Sequence, residues 1–261
     1  MKPELVEADT RLEAWMKGAE HLLKHERVLN LILAINSPGR GGSDSTIDRF
    51  LSEESQSPMH TVAEFIFPAV EYRTRGLRGV FEVYPDEVYP AIEPHPGLQW
   101  GTYAHRLVRR RRADGTLINP LKQLIEKMRS EAAQRGPRSS CYELGVAEGE
   151  YDVPLYRPSE DGARRMGGPC LSHLSFKLFK GAVHLTAFYR SHDYRHKVPG
   201  NLLGLARLQA CVAHEIGREA GTLVVHSSYA YLTGSKSRMW KLLGDLRRTQ
   251  ARKEAAHVVA H

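Results

Sequence analysis

Two stretches near the middle of the chain alternate apolar and polar side chains with a two-residue period. Leu174, Phe176 and Leu178 fall on one side of an extended chain and Ser175, Lys177 and Phe179 on the other, and Val183, Leu185, Ala187 and Tyr189 repeat the pattern. Lys180-Gly181 between them suits a tight hairpin turn, because glycine accepts positive φ. Elsewhere the period is helical. Leu12, Trp15, Ala19, Leu22 and Leu23 share a face over residues 10–24; Leu121, Leu124, Ile125 and Met128 do so over 120–133, and Leu205, Leu208, Cys211, Val212 and Ile216 over 202–220. Residues 28–35, rich in Leu, Ile and Val, predict a buried strand ending at Asn36-Ser37-Pro38, and 222–226 predict another. Residues 61–72 read as a helix carrying Glu64 among Val62, Phe65, Ile66 and Phe67. Residues 84–97, with Pro85, Pro90, Pro94 and Pro96, read as a loop, and 236–257 as a basic helix. The sum is one α/β (α+β) domain over residues 1–261, a mixed or mostly antiparallel sheet with helices on one face.

Composition narrows the classes. Hydrophobic residues at 41% and charged residues at 26% suit a globular chain of 261 residues. No apolar run reaches the length of a membrane span, and Met-Lys-Pro-Glu-Leu at the start is not a signal peptide, so a cytoplasmic protein with no membrane partner is expected. Cys141, Cys170 and Cys211 form no CxxC pair. His21 and His25 are four apart on a helix, but no third ligand follows, and no metal site is expected. The net charge of +7 points to an anionic partner, either a nucleic acid or a smaller phosphate-bearing ligand. The run Arg109-Arg110-Arg111-Arg112 reads as a solvated turn, which makes nucleic acid the lesser candidate. Gly39 to Ser45 is the most glycine-rich loop; without Gly-Lys-Ser/Thr it is no Walker A sequence, and it either presents Arg40 and backbone N–H groups to a phosphate or is plain surface. Residues 154–168, with Arg157, Arg164 and Arg165, read as a loop or lid.

The hairpin concentrates the chemistry. Its geometry sets Cys170, at the start of one strand, beside Arg190, at the end of the other, with Ser191, Asp193 and Asn201 close behind. A positive charge beside a cysteine favours the thiolate, a nucleophile able to add to an electron-poor carbon and leave again. Arginine with serine can hold a phosphate, and an Asn amide offers the donor and acceptor needed to read a uracil edge. Taken singly, Cys170 reads as a buried thiol, Arg190 and Asp193 as a salt bridge, and Asn201 as the N-cap of the helix that follows.

Pro169-Cys170-Leu171, Arg190-Ser191-His192-Asp193 with Pro199 and Asn201, and Ser228-Tyr229-Ala230-Tyr231 together resemble the thymidylate synthase family, in particular its shorter archaeal-type branch. The resemblance is clear from about Pro169 to Tyr231. It implies the thymidylate synthase fold, a homodimer paired through the uncovered sheet face, and a pyrimidine nucleotide monophosphate as substrate. It also implies 5,10-methylenetetrahydrofolate as cofactor and a covalent adduct on Cys170. By the same resemblance Glu64, Tyr103 and Asp193 join Cys170 as catalytic candidates. Arg190, Ser191, Asn201, Tyr231, Arg138 and Arg40 become nucleotide-binding candidates, with Arg138 reaching across the dimer. Tyr229 stands where the family has His, and no segment matches the family's C-terminal closing segment. The implied activity is methylation of a uridine nucleotide. The alternatives are 5-hydroxymethylation of dUMP, CMP or dCMP, and a non-catalytic nucleotide- or RNA-binding protein on the same fold.

Overall fold

Six strands hydrogen-bond side by side in the order Glu4–Ala8, Arg27–Ile35, Glu219–Tyr231, Ala182–Tyr189, Leu171–Phe179, Tyr142–Gly145, with the short His192–Asp193 pairing onto Glu219–Tyr231. The structure, a computed structural model, describes residues 2–41, 44–93, 101–112, 114–147 and 169–259. In chain order the elements are β1 (Glu4–Ala8), α1 (Arg11–His25), β2 (Arg27–Ile35), α2 (Ser45–Glu53), α3 (Met59–Glu64), α4 (Ala69–Arg78), a π-helical stretch (Gly79–Val88), α5 (Tyr89–Ile92) and α6 (Tyr103–Val108). There follow β3 (Arg110–Arg111), β4 (Leu117–Ile118), α7 (Pro120–Ala132), β5 (Tyr142–Gly145), β6 (Leu171–Phe179), β7 (Ala182–Tyr189), β8 (His192–Asp193), α8 (Val198–Glu215), β9 (Glu219–Tyr231) and α9 (Lys236–Val259). The pairs β1/β2, β7/β9 and β8/β9 are parallel and β2/β9, β6/β7 and β5/β6 antiparallel, so the expected mixed sheet is present.

One face of the sheet is covered. Leu31, Leu33 and Ile35 of β2, Leu223 and Val225 of β9, Val183, Leu185 and Ala187 of β7, and Leu174 and Phe176 of β6 are all buried in one core with the helices. The alternate positions are only partly buried, so β2 is one-sided rather than buried throughout, as its apolar run had suggested. The opposite face carries Ile32, Val224 and Phe188 among polar groups, including His226, which meets Asn30 Oδ1 at 2.9 Å.

The hairpin β6/β7 pairs Phe179 with Ala182 and keeps that register to His173 opposite Phe188; a bulge between His173 and Leu171 then shifts it by one, so that Leu171 faces Tyr189 and Cys170 comes beside Arg190. Its turn residues have positive φ, 49° at Lys180 and 77° at Gly181. Helix α8 crosses the covered face, where its buried Gln209 donates to the carbonyls of Val183 and Gly221. Gly200 and Gly204 of α8 let α3 approach closely: a Cβ at Gly200 would lie 2.5 Å from Val62 Cβ.

Four expected elements differ. The helix over 61–72 breaks after Glu64, because Pro68 has no N–H and disfavours helical geometry just before it; α4 starts afresh at Ala69. The loop expected over 84–97 is helical to Ile92: Pro85 is absorbed in the wider π-helical stretch and Pro90 in the first turn of α5, and residues 94–97 lie outside the described ones. The helix expected over 202–220 begins at Val198 with Pro199 in its first turn and stops at Glu215, before Gly217 at φ 65°. Strand β9 consequently starts at Glu219 rather than 222. Asn201 therefore sits inside α8, its N–H bonded to Lys197 O at 2.9 Å, and is not an N-cap. The arginine run is a small β3/β4 hairpin in which Arg109 pairs with Asp86 at 2.8 Å. The lid expected over 154–168 falls outside the described residues, as do Gly42 and Ser43 of the glycine-rich loop.

Candidate active site

Cys170 precedes β6, and Arg190 follows β7. The backbone N–H of Arg190 donates to Cys170 O at 3.0 Å, and its Nε donates to Pro169 O, also at 3.0 Å. The guanidinium is thereby tied to the segment that carries the thiol. Ser228 Oγ donates to Arg190 O at 3.0 Å and fixes the same strand end from β9. Cys170 is partly buried against the core.

Tyr103 reaches this point from α6. Thr102 caps that helix, its Oγ1 accepting from His105 N at 3.1 Å and sharing a 2.7 Å hydrogen bond with Tyr84. The Tyr103 hydroxyl then accepts from the backbone N–H groups of Cys170 at 3.2 Å and Leu171 at 3.4 Å. Burial first, then the neighbouring Cys170, pushes its phenol up to about 12, so its proton stays on the oxygen beside the thiol. Tyr189, fully buried, is pushed well above its ordinary value by burial and by Tyr103 and Cys170. Its hydroxyl has no hydrogen-bond partner among the described residues. Neither Tyr189 nor His192 was marked by the sequence as part of this cluster; the apolar alternation made Tyr189 look like plain core.

Ser191, Tyr231 and Asp193 continue the site along β8 and the end of β9. Tyr231 lies opposite Asp193 in the strand register. Its phenol is raised by burial, by the Asp193 carboxylate and by Cys170, while a hydrogen bond from Ser191 pulls it down. Ser191, Tyr229 and Tyr231 line an open cavity of about 580 Å3 with Arg27 and Lys236, a volume within the usual range of small-molecule sites. Asp193 spends its carboxylate locally: Oδ1 accepts from the N–H of Arg195 at 2.9 Å, and Oδ2 pairs with His196 Nδ1 at 3.0 Å. It therefore orders the turn after β8, and no Arg190–Asp193 bridge stands among the described ion pairs. Asn201, 5% exposed, has its carboxamide nitrogen 3.0 Å from His192 Nε2.

Three candidates are held by other partners. Glu64 ends α3, pairs with Arg207 at 3.0 Å, and accepts from Val70 N at 3.3 Å. Burial raises its pKa against the pull of those partners. Phe65 O accepts from Ala104 N at 2.8 Å, which joins the Glu64 segment to the helix of Tyr103. Arg40 lines a separate cavity of about 240 Å3 with Arg11, Asp44, Met59 and Pro199, and neither Cys170 nor Arg190 is among that cavity's lining residues. Arg138 is 75% exposed and pairs with Glu131 at 3.7 Å. Among the described residues no cluster of His, Cys, Asp and Glu is placed to hold a metal, and no helix is long and apolar enough to cross a membrane.

No family model matches the chain. It is 39% identical over 131 residues to a protein of Methanococcoides burtonii, a match covering 50% of this chain and 52% of that one. It is also 39% identical over 64 residues to a protein of Methanosarcina barkeri, covering 24% and 30%. Both carry the name "Putative thymidylate synthase". The matches thus span from about a third to about half the length of these relatives. Among solved structures, the thermostable thymidylate synthase A of Bacillus subtilis superposes with a TM-score of 0.54 at 13% identity, over 85% of this chain and 79% of that one. The fold is that of thymidylate synthase, and the resemblance to that family holds both in sequence and in architecture.

Proposed function

We propose that the chain transfers a one-carbon unit to C5 of a pyrimidine nucleotide monophosphate through a covalent adduct on Cys170. The observation that carries this reading is the tie between Cys170 and Arg190 across the β6/β7 hairpin, with the Tyr103 hydroxyl on the Cys170 and Leu171 amides; Ser191, next along the chain, joins them to an open cavity that Cys170 and Arg190 do not themselves line. The Cys170 sulfur adds to C6 of the ring, and the C5–C6 π pair moves onto C5, which becomes nucleophilic. Protonation of C5, loss of its original hydrogen and departure of sulfur from C6 regenerate the thiolate and leave the base exchanged at C5. Arg190 and Ser191 hold the phosphate, Asn201 reads the base edge, and Tyr231 offers its hydroxyl to the sugar. Glu64, raised by burial, is suited to hold and pass a proton. Arg40 and Arg138 are secondary phosphate ligands, Arg138 serving a second copy of the chain in a dimer paired through the uncovered sheet face.

The cavity has features that suit a folate: Tyr229 and Tyr231, with ring centroids 5.7 Å apart, offer faces to a flat heterocycle, and Arg27 offers charge to an anionic tail, while Lys236 on the same wall is paired with Glu26 at 2.6 Å. 5,10-Methylenetetrahydrofolate supplies the methylene carbon and, for a methyl product, the hydride; water in its place gives hydroxymethyl. The decisive experiment is tritium release from C5-labelled UMP, dUMP, CMP and dCMP, with folate present and absent. Release from a uridine nucleotide, lost in Cys170→Ser, is expected. Binding without release from any of the four would favour a non-catalytic nucleotide-binding protein, the role consistent with the +7 charge alone.

A further inference from the structure

His192 is a buried imidazole at the centre of a polar cluster. It is 1% exposed, stacked on Tyr189 at 3.8 Å and 4°, and flanked edge-on by Tyr194 at 5.6 Å. Its Nδ1 lies 2.9 Å from Ser227 Oγ, and Ser227 Oγ lies 3.3 Å from the Tyr194 hydroxyl. Its Nε2 lies 3.0 Å from the Asn201 carboxamide nitrogen. Tyr194, Ser227, His192 and Asn201 thus form one continuous polar line leading to the amide that faces the base.

We propose that His192 is a positioning residue that locks the Asn201 carboxamide in one of its two orientations and so sets whether the site takes a uracil or a cytosine nucleotide. The inference rests on the reading of Asn201 as the base-contacting amide. Uracil presents an acceptor at position 4 and a donor at position 3; cytosine presents the reverse. A half-turn of an Asn side chain exchanges its oxygen and nitrogen within the same space, so a freely turning Asn serves either base. Selectivity therefore requires something that stops the turn.

A neutral imidazole does this. It carries one proton on two nitrogens, so one end donates and the other accepts, and fixing the first end fixes the second. Burial holds His192 down to about 3, which keeps the ring neutral near pH 7. The direction follows from counting donors. The only hydrogen-bond partner of the fully buried Tyr194 hydroxyl among the described residues is Ser227. Were Ser227 to donate to Tyr194, the Tyr194 proton would be left without an acceptor, the costly arrangement for a buried group. Tyr194 therefore donates to Ser227, Ser227 donates to Nδ1, and the proton sits on Nε2. The carboxamide nitrogen lies 3.0 Å from Nε2; an Nε2–H there repels that nitrogen and requires the half-turned amide, with the oxygen toward the ring and the nitrogen on the far side.

The test removes the fixed end and watches the distant one. In Ser227→Ala the ratio of kcat/KM between uridine and cytidine monophosphates, read by C5 tritium release, narrows at least tenfold. The disfavoured base gains activity in absolute terms, a change that structural damage does not produce. Ser227→Thr, which keeps the hydroxyl, restores the ratio. Ring nitrogen-15 spectra of the protein without nucleotide show the neutral His192 ring protonated on Nε2 in the wild type and as a mixture of its two neutral tautomers in Ser227→Ala. An unchanged ratio, an equal fall for both bases, or a wild-type ring protonated on Nδ1 overturns the proposal. Absence of tritium release from every nucleotide counts against the catalytic reading alone; the preference is then measured by calorimetric binding, where an unchanged ratio in Ser227→Ala again overturns the proposal.

Discussion

At the scale of single residues, the site makes separable demands. Cys170 supplies a nucleophile, and Cys170→Ser replaces it with a hydroxyl of far lower nucleophilicity near neutral pH. The variant should fold normally by circular dichroism and show no C5 exchange; full exchange in it would remove Cys170 from the mechanism. Arg190 is expected to act on the phosphate. Arg190→Ala should weaken binding of a nucleotide by roughly 1.5–3 kcal/mol, the usual worth of a charge-assisted hydrogen bond, and leave a nucleoside almost unaffected. Equal weakening of both in a calorimeter would mean that Arg190 only braces the hairpin through Pro169 O, a role it also has. Asn201→Asp tests the base edge. The ionised acid can only accept, so the preference should move from uridine toward cytidine nucleotides by at least roughly tenfold, about 1.4 kcal/mol. The structure sharpens this prediction, because Asn201 lies within α8 and the helix-capping role that Asp would also have filled is gone.

At the scale of elements, the nearness of Cys170 and Arg190 was legible to within one residue because a two-residue turn fixes register: Lys180-Gly181 pairs Phe179 with Ala182 and His173 with Phe188, and a bulge between Leu171 and His173 then shifts the pairing by one, so that Leu171 faces Tyr189. Glu64 was placed on the right helix, but that helix was drawn too long, since the apolar residues on both sides of Pro68 hide the break it causes. The His192–Asn201 contact was not legible, because it depends on the turn through Tyr194 and Arg195 that carries α8 back over β8. Nor could any local pattern reveal that Arg40 lines a cavity with Arg11 and Asp44 or that Arg138 pairs with Glu131, since their positions follow from tertiary packing. The closeness of α3 and α8 has a measurable consequence. A Cβ at Gly204 would stand 2.8 Å from both Ala63 O and Ile66 Cβ. Gly204→Ala should therefore force the helices apart and cost about 1–3 kcal/mol of stability in urea. Because α3 ends at Glu64, C5 exchange should fall as well. A variant as stable as wild type would show that this helix pair yields without strain.

Over the whole molecule, two buried polar groups make stability a function of pH, in the same direction and in successive windows. His192 is neutral in the fold, held down to about 3 by burial, while its unfolded value is near 6.5. Its folded pKa is depressed, so the unfolded chain binds the extra proton first: full stability stands above pH 6.5 and drains as pH falls from there toward 3. Glu54 is brought to about 2, first by its hydrogen bond with Arg195 and also by His196. Arg195 is 2% exposed and Glu54 11%, so this pair joins α2 to the turn after β8 away from solvent. Its contribution is full above about pH 4.5 and is lost as pH falls through the folded value near 2. Between pH 6.5 and 4.5 the Glu54 term is nearly flat, so the buried histidine dominates the difference between wild type and a variant lacking it. One proton contributes a slope of at most about 1.4 kcal/mol per pH unit. His192→Gln removes the titrating ring and keeps a hydrogen-bonding side chain of similar length. It should be less stable than wild type at pH 7.5 because the stack on Tyr189 is lost, and its unfolding free energy should fall less steeply with acid. Urea titrations of both proteins at pH 7.5, 6.5, 5.5 and 4.5 should bring their stabilities together by roughly 2–3 kcal/mol over that span. Parallel curves would mean that the folded ring binds its proton as readily as the unfolded chain does, so that below about pH 6.5 it would no longer be the neutral imidazole on which the orientation of Asn201 depends.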